Sequence, residues 1–180
     1  MMVCCIASGP SLTAEDCEAV GQKGILTIAV NNSWQMARFA KYIYAGDKSW
    51  WVKNGKLIDI EAVRVCCDES AMIHHGTQTH RATGGYNSGM MAIRYAIQKL
   101  HAQRVILLGY DCSVKNGLHW HGPHQGLGNP DEARCQKWLK QFDKIAAEAK
   151  AFGVDVVNCS RYTELTVFNH MDLEEALERC

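Results

Sequence analysis

The run His119-Trp120-His121-Gly122-Pro123-His124 carries the most distinctive chemistry in this 180-residue chain. An imidazole with an unperturbed pKa of ~6.5 can take a proton from an attacking hydroxyl or return one to a leaving group. His119, His121 and His124 are therefore candidate acid–base groups, with solvated surface histidines as the plain alternative. Three histidines this close could also wrap around zinc, but their spacing matches none of the common zinc patterns, so no metal is expected. His74, His75, His80, His101 and His170 lack such a context and read as structural or exposed.

Four other segments could hold a ligand. In Ser8-Gly9-Pro10-Ser11, glycine removes a side chain that would block close approach. If a helix starts there, the amides of Ser11, Leu12 and Thr13 are free to face an anion such as a nucleotide phosphate. An ordinary strand-to-helix turn is the alternative, and the segment is neither a G-x-G-x-x-G nor a Walker A loop. The cluster Thr83 to Gly89 opens a second helix at Asn87, Ser88 and Gly89, with Arg81 close by as a clamp on an anion. Asn31 and Asn32 follow an apolar run, where a carboxamide can read a base or sugar without adding charge, or simply cap a helix. Asp111 could orient a ribose hydroxyl, a histidine or a backbone turn.

Short apolar runs alternate with stretches of helical period, the rhythm of a mostly parallel sheet covered by helices. Strands are expected at Val3 to Ala7, Ile25 to Val30, Tyr42 to Ala45, Ala62 to Cys67, Ala71 to His75, Arg104 to Leu108 and Val154 to Val157. Helices are expected from Thr13 to about Gln22, with Thr13 and Asp16 as a capping box, at Trp34 to Phe39, and from about Asn87 to His101. Lys48 to Asp59 reads as helix or loop, and Gly76 to Tyr86 as loop. Asn129-Pro130 should cap a long helix whose inward stripe is Cys135, Trp138, Phe142, Ile145, Ala149 and Phe152, stopped by Gly153. A short helix is expected over Leu173 to Leu177. Cys112 to Asn129, with four glycines and three histidines, is a functional-loop candidate. The expected fold is α/β, Rossmann-like, a mostly parallel sheet with helices on both faces, forming a single domain over 1–180. In such sheets ligands bind at the carboxyl ends of the strands, where strand order reverses.

Nineteen basic and nineteen acidic residues cancel, which disfavours nonspecific binding to duplex nucleic acid or an anionic membrane. No apolar run reaches the ~18–20 residues of a membrane span, and the start lacks a signal peptide's basic region. Nine cysteines without a C-x-x-C spacing include the adjacent pairs Cys4-Cys5 and Cys66-Cys67. Neighbours on a strand face opposite ways, so these pairs suit neither a metal nor an ordinary disulfide. Reduced thiols in a cytoplasmic, soluble protein are expected.

The ordered strand ends resemble those of the bacterial CMP-sialic acid-dependent sialyltransferases. The resemblance rests on Ala7-Ser8-Gly9-Pro10-Ser11-Leu12, on a strand ending at Asn31, on Thr83 to Gly89 opening a helix, and on Leu107-Leu108-Gly109-Tyr110-Asp111. Pyrophosphokinase-like domains of pterin synthesis share the first motif. The resemblance implies a metal-independent glycosyltransferase, with a nucleotide-sugar donor as substrate and no cofactor. It places Gly9, Pro10 and Ser11 under the donor phosphate, Asn31 against the nucleotide, Asn87, Ser88 and Gly89 in the donor pocket, and His124 as the base. The family's two tyrosines, which stabilise the departing phosphate, have no counterparts here; the matching places lie near Ser113 and His119 or Trp120. That task would be lost, altered or taken over by a histidine. The chain is also short for such enzymes, so the acceptor is unspecified; a small molecule or a nucleic-acid base modified by a compact phage-like enzyme both fit.

Two other classes compete. Phosphoryl or pyrophosphoryl transfer on a nucleotide needs magnesium held by carboxylates, for which Asp47, Asp68 and Asp111 are available. A noncatalytic nucleotide-binding module could use Trp34, Trp50 or Trp51 as an interface if they are exposed, although tryptophan is more often partly buried core, and a homo-oligomer is compatible with either class.

Overall fold

In the computed structural model, residues 1–81 and 84–178 are described; Thr83 of the helix-opening cluster and Cys180 lie outside them. Eight parallel strands form one sheet in the order β5-β4-β3-β2-β1-β6-β7-β8. They are β1 (Met2–Ile6), β2 (Leu26–Val30), β3 (Tyr42–Tyr44), β4 (Val63–Cys66), β5 (Gln78–Thr79), β6 (Arg104–Leu108), β7 (Asp155–Asn158) and β8 (Asn169–His170). The central strands carry unbroken apolar runs because both faces are covered. Val3 through Ile6 and Val105 through Leu108 are almost wholly buried.

The helices are α1 (Ala14–Gln22), α2 (Lys48–Asn54), α3 (Ser70–His75), α4 (Ser88–Gln98), α5 (Glu132–Ala151) and α6 (Leu173–Glu178). Met90, Ile93 and Ile97 of α4 and Phe142, Ile145 and Ala149 of α5 share one core with Val3, Cys5 and Leu107. Cys17 and Val20 of α1, the α2 tryptophans, Ala71 of α3 and Ala176 of α6 share the opposite core with Cys4, Ile6 and Ile106. Cys4 and Cys5 thus face opposite cores, and the eight described cysteines form no disulfide. Among the described residues no helix is long and apolar enough to cross a membrane.

The chain winds outward from β1 to β5, returns through α4, and winds the other way from β6. The order therefore reverses between β1 and β6, whose registers pair Met2 with Arg104 and Ile6 with Leu108. The crevice at the carboxyl ends of those two strands is where the topology leaves room for a ligand.

Several local expectations are corrected. Ala71 to His75 belongs to the helix α3 and is not a strand: only Ala71 is buried there, while Met72 and Ile73 lie exposed. Asn31–Gln35 forms a 3-10 turn in place of the helix expected from Trp34 to Phe39. Asp131, and not Asn129, caps α5; its carboxylate accepts from the Arg134 amide. Phe152 is 60% exposed and leaves the inward stripe, because α5 ends at Ala151 and the chain turns at Gly153. Trp34, Trp50 and Trp51, at 5%, 4% and 0% exposed, follow the core reading rather than the interface one and form no docking surface.

Candidate functional site

At the reversal point, β1 runs on into a turn clamped from β6. The Ala7 amide donates to the Leu108 carbonyl at 2.8 Å and the Gly9 amide to the Gly109 carbonyl at 2.9 Å. The Ser11 amide donates to Asp111 Oδ2 at 2.8 Å, and the Ser11 hydroxyl to Oδ1 at 2.5 Å. The Leu12 amide returns to the Gly9 carbonyl at 3.1 Å. A Cβ on Gly9 would stand 2.3 Å from Asp111 Oδ1, so the missing side chain makes room for this carboxylate. The sequence expectation of a phosphate cradle on the Ser11 and Leu12 amides is thereby corrected: both are satisfied internally, by a carboxylate and a carbonyl. Asp111 takes the turn-holding role among those open to it. Burial pushes its carboxyl up, and the Ser11 bonds pull the other way.

The start of α4 is different. Asn87 caps it, its side chain accepting from the Met90 amide at 2.9 Å, and the Ser88 hydroxyl accepts from the Gly46 amide at 3.0 Å. The amides of Ser88 and Gly89 precede the first intrahelical bonds, so they carry the partial positive charge of a helix start. Arg81 does not serve this site: it is exposed and paired with Glu69 at 2.5 Å.

Both strand ends and the start of α4 open onto one cleft of about 240 Å³. Gly9, Pro10, Asn31, Asn87, Ser88, Gly89, Asp111, His119 and His124 all line it. Asn31 sits at φ 51°, a left-handed conformation that asparagine tolerates better than most residues. Three expected site residues fall elsewhere. Ser11 is buried under the turn. The Asn32 side chain accepts from Trp50 Nε1 at 3.0 Å, and Asn32 lies with His121, Lys53 and Gln125 in a second depression outside the cleft. His124 borders both spaces. Asp47, expected only as a magnesium-holding carboxylate, lines the cleft, and so do Tyr110, Arg134, Trp138 and Phe142, which were not among the expected site residues. Arg134, in the first turn of α5, brings a cation to the wall, and its guanidinium donates to the Asn129 carbonyl at 3.3 Å.

The histidine loop is anchored at several points. The Trp120 amide donates to the Ser8 carbonyl at 3.1 Å, tying the loop to the β1 turn. Asn129 brackets His124, accepting from its amide at 2.7 Å and donating to its carbonyl at 3.1 Å. The ring centroids of His119 and His121 are 5.1 Å apart and stacked; His124 stands 4.4 Å from the first and 4.8 Å from the second. Burial lowers all three pKa values. His119 is pushed down to about 4, chiefly by desolvation and then by His124 and His121. His121 and His124 move down for the same leading reason. At neutral pH the cluster is uncharged.

His80, by contrast, is a core residue, bonded to the Tyr44 hydroxyl at 2.7 Å.

No family model matches the chain, and no curated protein matches its sequence. Among solved structures it is similar to a thiamin pyrophosphokinase from Geobacillus thermodenitrificans, at 11% identity and a TM-score of 0.46. That match covers 87% of this chain and 59% of the other, so the chain spans about three fifths of its length. The resemblance to sialyltransferases rests on the sequence motifs alone.

Proposed function

We propose that the protein is a transferase acting on a nucleotide and that it moves a phosphoryl or pyrophosphoryl group. The observation that carries this reading is the convergence of the Ser88 and Gly89 amides, Arg134 and the histidine wall on one cleft at the β1/β6 reversal. A phosphate at the α4 start would meet two backbone donors and the helix dipole. Arg134 would bind its outer oxygens, and the Asn31 carboxamide would face the base or ribose. Ligand pockets usually span ~300–1,000 Å³, so a cleft slightly below that range suits a single nucleotide left partly open to solvent.

The lowered histidine pKa values bear on the chemistry. A group titrating at about 4, as His119 does, is a weak base at neutral pH. Stabilisation of charge on the transferred group by positioned donors and a divalent cation is the main lever in phosphoryl transfer. Of the expected carboxylates, Asp47 and Asp111 line the cleft, and both Asp111 oxygens already hold Ser11. Carboxylates alone therefore make a poor cation site here.

Glycosyl transfer from a CMP-sugar-like donor is a second reading, favoured by His124 on the cleft wall. There it would deprotonate an acceptor hydroxyl, with His119 at the departing phosphate. Phosphorus NMR of the protein with nucleoside triphosphates, and separately with CMP-, UDP- and GDP-sugars, separates the two. Chelator-sensitive cleavage of a triphosphate is the expected result. Chelator-insensitive nucleotide release from a sugar donor would favour the second reading, and no binding of any nucleotide would overturn both.

A further inference from the structure

We propose that His119, His121 and His124 bind one zinc-class divalent cation, with an open coordination position turned toward the cleft. One ligand nitrogen from each of the three rings lies within 4.8 Å of the others. The Nε2 atoms of His119 and His121 are buried and have no hydrogen-bond partner. Two unpaired imidazole nitrogens beside a third ring are costly in an apoprotein and are satisfied at once by a shared cation.

Zn–N bonds of ~2.0–2.1 Å at tetrahedral angles set the nitrogens ~3.4 Å apart, so binding would draw the rings inward by about an ångström. Gly122 and Pro123 lie between two of the ligands in a loop whose ends are fixed by Ser8 and Asn129, which allows that contraction without moving the sheet.

The donor set selects the ion. Three imidazoles without a carboxylate or thiolate suit zinc, cobalt, nickel or copper and disfavour magnesium and calcium, which prefer oxygen. Three protein ligands leave a fourth position free, the pattern of zinc sites that take a water or substrate oxygen. His119 and His124 line the cleft, so that position faces the space assigned above to the nucleotide. A phosphate oxygen could occupy it. This role rests on the proposed function, whereas cation binding itself does not. Lys53 lines the outer depression with His121 and His124 and does not line the cleft.

The test uses the intact chain, stripped with chelator and titrated with Zn²⁺ against a chromophoric competitor, and with Co²⁺ read by visible absorption. One Zn²⁺ per chain is expected, together with the intense cobalt bands of a four-coordinate site and no competition from excess Mg²⁺. His119→Ala, His121→Ala and His124→Ala should each weaken Zn²⁺ binding by more than the ~10–100-fold that loss of a mere second-shell partner costs. A His74→Ala/His75→Ala variant should bind as tightly as the parent, since those histidines end α3 outside the cleft. Absence of a stoichiometric site, six-coordinate cobalt spectra, or an affinity unmoved by the three substitutions would each overturn the proposal. Cobalt spectra of the parent protein decide the matter even if a variant fails to fold. Nucleotide titration of stripped and zinc-loaded protein keeps the two readings apart: nucleotide binding without zinc binding sinks only the metal site, and zinc binding without nucleotide binding sinks only the proposed function.

Discussion

Ser11 and Asp111, 100 residues apart in the chain, are joined by two hydrogen bonds that close the turn before α1 with a carboxylate belonging to the protein. The pair ties the turn after β1 to the end of β6, so it fixes the wall of the cleft and leaves the start of α4 as the place for an external anion. Asp111→Ala should lower stability by about 3 kcal/mol, because two bonds to a buried carboxylate are lost and the Ser11 amide is stranded. Chemical denaturation measures the loss. Inorganic phosphate should restore more stability to this variant than to the parent, since the vacated Ser11 amide can then donate to an anion.

Gly9→Ala tests the same clamp from the other side. Its Cβ would lie 2.3 Å from Asp111 Oδ1 and 2.5 Å from the Gly109 carbonyl oxygen, and the carbonyl cannot rotate away. A loss of about 2–3 kcal/mol is expected from such overpacking. Gly46→Ala is the control: its nearest contacts would be 3.5 and 3.6 Å, in the ordinary range, and its thermal midpoint should barely move.

The central sheet was legible in the sequence because β1, β2 and β6 are buried on both faces and read as unbroken apolar runs. Where burial and apolarity part company, the pattern misleads. In α3 the apolar Met72 and Ile73 face solvent, so no helical stripe exists to be read, and β5 and β8 are two-residue polar edge strands. The candidate site was legible as residue types at strand ends, since the reversal rule selects those positions. Their pairing was not. Ser11 could be seen as a helix-start donor and Asp111 as a strand-end acid, but that one satisfies the other depends on the register of β1 against β6. Arg134, Trp138 and Phe142 reach the cleft because α5 packs over its edge. Their helical spacing was visible, and the direction of the stripe's upper end was not.

Acid should destabilise the metal-free protein through its imidazoles. His80, His119, His121 and His124 all have pKa values lowered by burial in the folded state. An unfolded histidine takes its proton near ~6.5, while these resist until lower pH, so the unfolded state binds more protons as pH falls. Their contribution is present in full above ~6.5 and is lost as pH drops through the folded values, which for His119 means down to about 4. Urea midpoints of chelator-treated protein should therefore be flat from pH 8 to 7 and fall steadily from about 6.5 toward 4. A His80→Gln/His119→Gln/His124→Gln variant should show a shallower decline over that window; an unchanged slope would mean that these rings titrate normally.

Arg134 offers the cleanest test of which helix start receives the substrate. It lines the cleft from the first turn of α5, and the one described hydrogen bond of its side chain goes to the Asn129 carbonyl at 3.3 Å, so removing the side chain should leave the fold intact. Arg134→Ala should weaken nucleoside di- or triphosphate binding about 10-fold, in line with the loss of one charge-assisted contact at a partly solvated site, and should affect the parent nucleoside little. Arg134→Lys should recover only part of the loss, because an ammonium cannot reproduce the forked geometry. Arg81→Ala is the matched control: that side chain is held by Glu69 on the surface, so calorimetry should find phosphate affinity unchanged. If Arg81 proves the stronger contributor, the phosphates lie outside the β1/β6 crevice, and the assignment of Ser88 and Gly89 as their donors fails with it.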